Sequence, residues 1–493
     1  MNAPEVDPPG LMDTGIAGLD DVLYGGLAPN RLYLVEGNPG SGKTTLALQF
    51  LLAGVRRNER CLFVTLSETE EELNASALSH GWTLDGIHVL EILASEENLQ
   101  PDSRYTMFHP SEVELTETMK RVLTEAERIQ PERLVFDSLS ELRLLAQNPL
   151  RYRHQILALK QFFARQRSTV LFVDDKTSEA GDMHLHSISH GVISLERRTP
   201  EYGTTRRRLQ IAKMRGRDFR QGYHDYRIVR GGLEVYPRLI AAEHVTLYSR
   251  EPVKSGLDTL DELLGGGLTQ GTSTLILGPA GVGKSTIATQ YAVWAAQQGH
   301  RAVCYLFDES IATFRERLAG LRVDAEPIIE SQHLSLHQVD AAELSPGEFA
   351  SAVRRTVEQD GSRVVVIDSL NGYLNAMPSE QFLTLHLHEL LTYLGQQGVT
   401  TILIMAQHGF AGSQVQVPID TSYLADTVLL LRYFEAAGEV RQAISVIKKR
   451  TGPHERTIRE IHFDHGIILG EPVRDFQGVL SGAPTFVVKA LAE

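Results

Sequence analysis

Two nine-residue stretches, GNPGSGKTT from Gly37 to Thr45 and GPAGVGKST from Gly278 to Thr286, fit the spacing GxxxxGK[ST]. That pattern suits a bound triphosphate. Gly37, Gly40 and Gly42, and likewise Gly278, Gly281 and Gly283, let the backbone turn tightly enough for its N–H groups to point at phosphate oxygens. Ser41 and Val282 fill the variable place before the last glycine. Lys43 and Lys284 are spaced to reach the terminal phosphates, and Thr44 and Ser285 to offer a hydroxyl to Mg²⁺. Thr45 and Thr286 complete the loops, and the helix that follows each one adds its positive end to the same anion. Each loop also follows a strand-like run, so the reading is nucleotide binding, ATP with Mg²⁺, at two places.

Each loop has carboxylates to match. The runs RLVFDS and RVVVIDS close on Asp137 and Asp368. An aspartate there can accept from a Mg²⁺-bound water, and it is expected to face the loop from the neighbouring strand. LSET and FDES place Glu68 in the first half and Asp308 with Glu309 in the second. A carboxylate near a γ-phosphate polarises the attacking water or accepts a hydroxyl proton. Ser67 stands where the second half has Asp308, and a serine hydroxyl is no base near neutral pH. The plainer readings are turn caps for the two aspartates and solvated charge for the stretch ETEEEL. Gln407, closing TTILIMAQ, reads either as a γ-phosphate sensor or as a polar strand end.

The elements that position these residues are written twice. TGIAGLDDVLYGGL and SGLDTLDELLGGGL precede the two loops, and a constant offset of 241 positions carries Gly15 to Gly256, Asp20 to Asp261, Lys43 to Lys284 and Glu68 to Glu309. A period this long means two copies of one domain, expected over 1–245 and 246–493. RLYLVEG, CLFVTL, RLVFDS, TVLFVDD and GVISLER in the first copy, and STLILG, AVCYLF, RVVVIDS, TTILIMAQ and TVLLLRY in the second, are continuous β-branched runs. Such runs suit strands buried on both faces of a parallel sheet. GKTTLALQFLLAGVRR and GKSTIATQYAVWAAQQG read as crossover helices. The expected fold is α/β, two tandem P-loop domains with mainly parallel central sheets and ligands at the carboxyl ends of the strands.

Bulk properties exclude other classes. With 48 basic and 62 acidic residues the net charge is −14, which does not draw the whole chain to nucleic acid or anionic lipid. No apolar run approaches a membrane span. The start MNAPEVDPPG has no apolar signal core. Cys61 and Cys304 both sit in apolar runs and read as reduced buried thiols, which fits a cytoplasmic location. Trp82 and Trp294 read as core or interface filler. His184, His186 and His190, and His386 with His388, match no zinc spacing.

With the repeat, the loops and the carboxylates together, the chain resembles the KaiC family of double-domain RecA-like ATPases. The resemblance spans nearly all of both halves and adds SETEEEL, KMRG and SGAPT to the points of likeness. It implies two-tiered hexamers with ATP between subunits, slow hydrolysis in the N-terminal tier, and self-phosphorylation and dephosphorylation in the C-terminal tier. It implies that Lys213 and Arg215, with Lys448 and Arg450 in the second copy, reach a neighbour's γ-phosphate. Cations supplied in trans accelerate phosphoryl transfer by roughly 10³ to 10⁵ and tie catalysis to assembly. It places the phosphate acceptor at Ser422, beside Tyr423, where the family carries a second Ser or Thr. A KaiB-like or other signalling protein is the implied partner. The sequence stops after LSGAPTFVVKALAE, without the long tail of clock-type members, so a signalling ATPase is expected rather than a day-length oscillator. Two other classes stay open. The run from Arg206 to Arg220, with seven basic residues and one acidic, would suit a DNA-dependent ATPase of recombination or repair. A nucleotide-dependent scaffold is the third.

Overall fold

A computed structural model describes residues 10–92, 110–176, 183–200, 202–340, 342–375, 383–407, 423–436, 438–464, 466–481 and 485–486. The chain divides into two compact units, Met1–Arg238 and Leu239–Glu493.

In the first unit the apolar runs become β1 (Leu32–Gly37), β2 (Cys61–Thr65), β3 (Ile87–Glu91), β4 (Arg133–Asp137), β5 (Thr169–Asp175) and β6 (Gly191–Arg198). They lie in the order β3-β2-β4-β5-β1-β6, all parallel. Successive side chains face opposite sides. Val135 packs on the side of Leu46 and Phe50, while Leu134 and Phe136 pack with Leu159 and Phe163 on the other. All three β4 residues are fully buried, and each contributes roughly 1.5–3 kcal/mol by leaving water. Three further strands, β7 (Arg206–Met214), β8 (His224–Val229) and β9 (Gly232–Tyr236), extend the sheet antiparallel beyond β6.

The second unit repeats this plan. After a two-stranded antiparallel sheet, β10 (Pro252–Val253) and β11 (Leu268–Thr269), come β12 (Ser273–Gly278), β13 (Arg301–Leu306), β14 (Leu334–Gln338), β15 (Ser362–Asp368), β16 (Thr400–Ala406), β17 (Thr427–Ala436), β18 (Glu439–Lys449), β19 (Arg459–His462) and β20 (Ile468–Pro472). Their order is β14-β13-β15-β16-β12-β17-β18-β19-β20, parallel as far as β17 and antiparallel beyond it. Both units are thus α/β with mainly parallel sheets.

The order corrects one expectation. Asp137 is not on the strand next to the loop, because β5 lies between β1 and β4. Asp368 is likewise separated from its loop strand by β16. Of the two strands that flank β1, β5 ends in Asp175, paired in register with Gly37, and β6 lies on the other side.

Cys61 and Cys304 are buried and free, and burial pushes both thiols up to about 12. Trp82 packs against the first core. Among the described residues no helix is long and apolar enough to cross a membrane.

Candidate functional site

The two loops connect β1 to the helix Lys43–Arg56 and β12 to the helix Lys284–Gln297. Each helix is entered through a left-handed glycine, Gly42 at φ 90° and Gly283 at φ 98°. A side chain there is excluded twice over. Besides the unfavourable backbone, a Cβ on Gly42 would stand 2.6 Å from Ile228 and one on Gly283 2.1 Å from the Phe463 ring. Gly37 opens its loop under the Leu195 carbonyl and beside Ser41, whose buried Oγ has no partner among the described residues. Gly40, Gly278 and Gly281, with Val282, Thr45 and Thr286, complete the two turns.

Although β5 intervenes, the loop hydroxyl and the strand-end carboxylate meet. Thr44 Oγ1 donates to Asp137 Oδ2 at 2.8 Å, and the Ser285 hydroxyl stands by Asp368 and lowers its carboxyl. Burial is the main reason both carboxyls are raised, Asp137 to about 6, with the hydroxyl bond opposing the rise in each case. A hydroxyl and a buried carboxylate, both oxygen donors, fit a hard divalent cation, which would relieve the burial of negative charge.

The two copies differ in how the lysine and the catalytic-type carboxylates are held. Lys43 Nζ donates to the Gly37 and Asn38 carbonyls and forms an ion pair with Asp175 at 2.7 Å. Lys284 Nζ donates to the Pro279 carbonyl, and burial lowers it to about 8, with Asp368 opposing. Glu68 follows β2 in a turn pinned by Thr65, whose hydroxyl donates to the Glu68 carbonyl and accepts from its N–H. Burial, and then Glu72, raise the Glu68 carboxyl. In the second copy Glu309 accepts two bonds from Arg317, at 3.1 and 2.8 Å, and Asp308 accepts from the Ser369 hydroxyl. Ser76 stands at the first-copy equivalent of Arg317 by the 241 offset. The acidic run after Glu68 is a helix start, with Thr69 and Glu72 forming a reciprocal capping box.

The cations assigned across subunits are engaged on their own chain. Lys213 donates to the His186 and Ser189 carbonyls, and Arg215 to the Ser187 carbonyl at 2.6 Å. Lys160 donates to the Ile188 carbonyl at 2.6 Å, so four successive carbonyls at the end of the helix Met183–Ile188 each receive a cation. Beside them Arg31, Lys160, His190 and Arg215 line a cleft of about 250 Å³. Burial first, then the surrounding cations, lower Lys160, His190 and Lys213, which favours an added anion. In the second unit Lys448 donates to the Ala425 carbonyl at 2.7 Å, and Arg450 pairs with Asp426 at 3.4 Å and bonds the Tyr423 carbonyl. Much of the basic run after Arg206 is similarly engaged: Arg208 pairs with Glu196, Arg217 caps carbonyls near Gly26, and Arg220 bonds Arg238.

Several placements had no signal in the motif spacing. Asp175, Arg317 and Ser369 come to the site from strand and helix ends. Arg133 is fully buried, bonds Asp13, Glu59 and the Phe50 carbonyl, and lies over the Phe50 ring. The doubled aspartate of TVLFVDD is a signal for Asp175, whereas Arg317 has none, since the repeat offset leads from it to Ser76. Gln407 is buried beside the second loop, its N–H on the Gly278 carbonyl and its Oε1 unpartnered among the described residues. His186 bonds Glu36 at 2.8 Å. Among the described residues no three metal-type ligands cluster. Ser422 and the middle of SGAPT lie outside the described residues, while Tyr423 is half exposed.

Comparison with known proteins gives the same picture. A family model for the KaiC ATPase matches residues 12–240 and again 253–472. The circadian clock oscillator protein KaiC of Acaryochloris marina is 26% identical over 484 residues, covering 96% of this chain and 91% of that relative. The protein of the same name from Thermostichus vulcanus is 27% identical over 478 residues, with the same coverage. The circadian clock protein KaiC3 of a Synechocystis species is 25% identical over 499 residues, covering 99% of this chain and 97% of the relative. Two copies of the loop-and-carboxylate site, each within one matched segment, place this chain in the KaiC ATPase family.

Proposed function

We propose that both halves bind ATP with Mg²⁺ and that hydrolysis is completed at the joints of a homo-oligomer, a hexamer by likeness to the family. One observation carries the reading: Thr44 with Asp137, and Ser285 with Asp368, converge beside a buried loop lysine in each half. Mg²⁺ bound there would neutralise charge on the phosphates. Lys43 and Lys284 orient the terminal phosphates, and Glu68 and Glu309 polarise the attacking water. Asp308 accepts the proton of a hydroxyl acceptor in the second half. Lys213 and Arg215, with Lys448 and Arg450, exchange their own carbonyl partners for a neighbour's γ-phosphate when subunits assemble. The second half then transfers phosphate to Ser422 and removes it again, which makes the protein a signalling switch for a KaiB-like or other partner in the cytoplasm.

The test incubates purified protein with ATP and Mg²⁺ and reads intact mass and assembly size together. A phosphate adduct on a six-fold particle, lost in Ser422→Ala, is the expected result. Lack of affinity for adenine nucleotides would overturn the account. Turnover that requires DNA would select a motor instead.

A further inference from the structure

The two phosphate loops are near copies, yet their lysines face different neighbours. Lys43 is already neutralised by Asp175 at 2.7 Å, with the lysine 8% and the aspartate 33% exposed. Asp175 closes β5 in register with Gly37, and the next N–H, from Lys176, bonds the Gly37 carbonyl. Its backbone is therefore fixed in the sheet beside the loop, and only its short side chain can turn away. In the second unit the register partner of Gly278 is Ala406, which has no charge to offer Lys284. The carboxylates differ too. Around Lys43 stand Asp137, Glu68 and Asp175, coupled electrostatically. Lys284 faces Asp368, which in turn lies near Asp308 and Glu309, and Arg317 already pairs with the last of these.

A loop lysine serves the β- and γ-phosphates. A diphosphate can share Lys43 with Asp175. A triphosphate brings further negative charge to the lysine that Asp175 already pairs with, and like charges drawn to one cation repel.

We propose that Asp175 sets the nucleotide preference of the first half: it weakens triphosphate binding relative to diphosphate, whereas the second half, with Ala406, lacks this discrimination. The proposal rests on the reading of both loops as adenine-nucleotide sites.

The experiment uses the full chain with the second loop silenced by Lys284→Ala. A fluorescent ADP derivative is displaced by ADP and by adenylyl imidodiphosphate, a triphosphate that resists hydrolysis, both with Mg²⁺. Adding Asp175→Asn, which keeps the side-chain size, should tighten the triphosphate on the order of tenfold and move ADP less than about threefold. Equal shifts for both ligands, or none, overturn the proposal while leaving the loop reading intact. No binding of either nucleotide to Lys284→Ala overturns the loop reading and the proposal together. Ala406→Asp in the Lys43→Ala background is the reciprocal arm and should weaken the triphosphate at the second loop by a similar factor. An unchanged ratio there also counts against the proposal, and melting curves check that each variant is folded.

Discussion

Asparagine at Asp137 should stabilise the nucleotide-free protein while disabling its metal site. Burial lifts this carboxyl from 3.8 to about 6, Glu68 and Asp175 add to the lift, and Thr44 and Lys43 oppose it. The folded chain therefore holds the proton to a higher pH than the unfolded chain. Between pH about 4 and 6 the folded state binds more protons, so stability falls as pH rises through that window and stays lost above it. A lift of this size corresponds to about 3 kcal/mol at neutral pH. Asparagine removes the charge but keeps an oxygen for the Thr44 hydroxyl, now in a weaker bond. The net gain is roughly 1–3 kcal/mol, or about 2–10 °C in the melting temperature of a unit this size. Calorimetry of empty wild type and Asp137→Asn at pH 7.5 and pH 4.5 should show the gain at the higher pH and the loss of most of it at the lower. With Mg²⁺ and a triphosphate the order should invert, because the variant lacks the metal's carboxylate. A variant no more stable than wild type at pH 7.5, or equally favoured at both pH values, refutes the burial argument.

Other perturbations probe the remaining parts. Arg133→Met leaves Asp13 and Glu59 facing a buried apolar side chain and should destabilise the first unit by about 3 kcal/mol, read as a lower urea midpoint. Lys284 is lowered to about 8, and a bound phosphate favours its charged form, so second-loop affinity measured in Lys43→Ala should fall roughly tenfold per pH unit above pH 8. A flat profile from pH 7 to pH 9.5 would contradict this. Arg215→Ala should cut ATP hydrolysis by at least about tenfold with little loss of nucleotide binding, and wild-type turnover in a dilute monomer would remove the trans-acting role.

The order of the strands shows where reading along the chain stopped. The apolar runs were visible one by one, but their sideways arrangement was not, so Asp137 was expected one strand too near the loop. Its contact with Thr44 is made across β5, which runs two residues beyond Val173, the partner of Asp137. The antiparallel strands beyond β6 and β17 carried weaker signals, since β8 and β19 are short and partly exposed. Lys213 and Arg215 were legible as a basic pair, but their hold on the end of the helix Met183–Ile188 depends on a fold that brings residues 24 to 28 positions apart together.

By itself the sequence determined the duplication, the two phosphate loops, their hydroxyl and lysine, and the α/β class. These features follow from local spacing and from runs whose side chains must all leave water. Only the tertiary structure decided which charge stands against which: Asp175 on Lys43, Arg317 on Glu309, and neither in the other copy. Electrostatic pairing depends on distance in space, and the order of strands in a sheet, which sets that distance, is settled by packing across the whole domain.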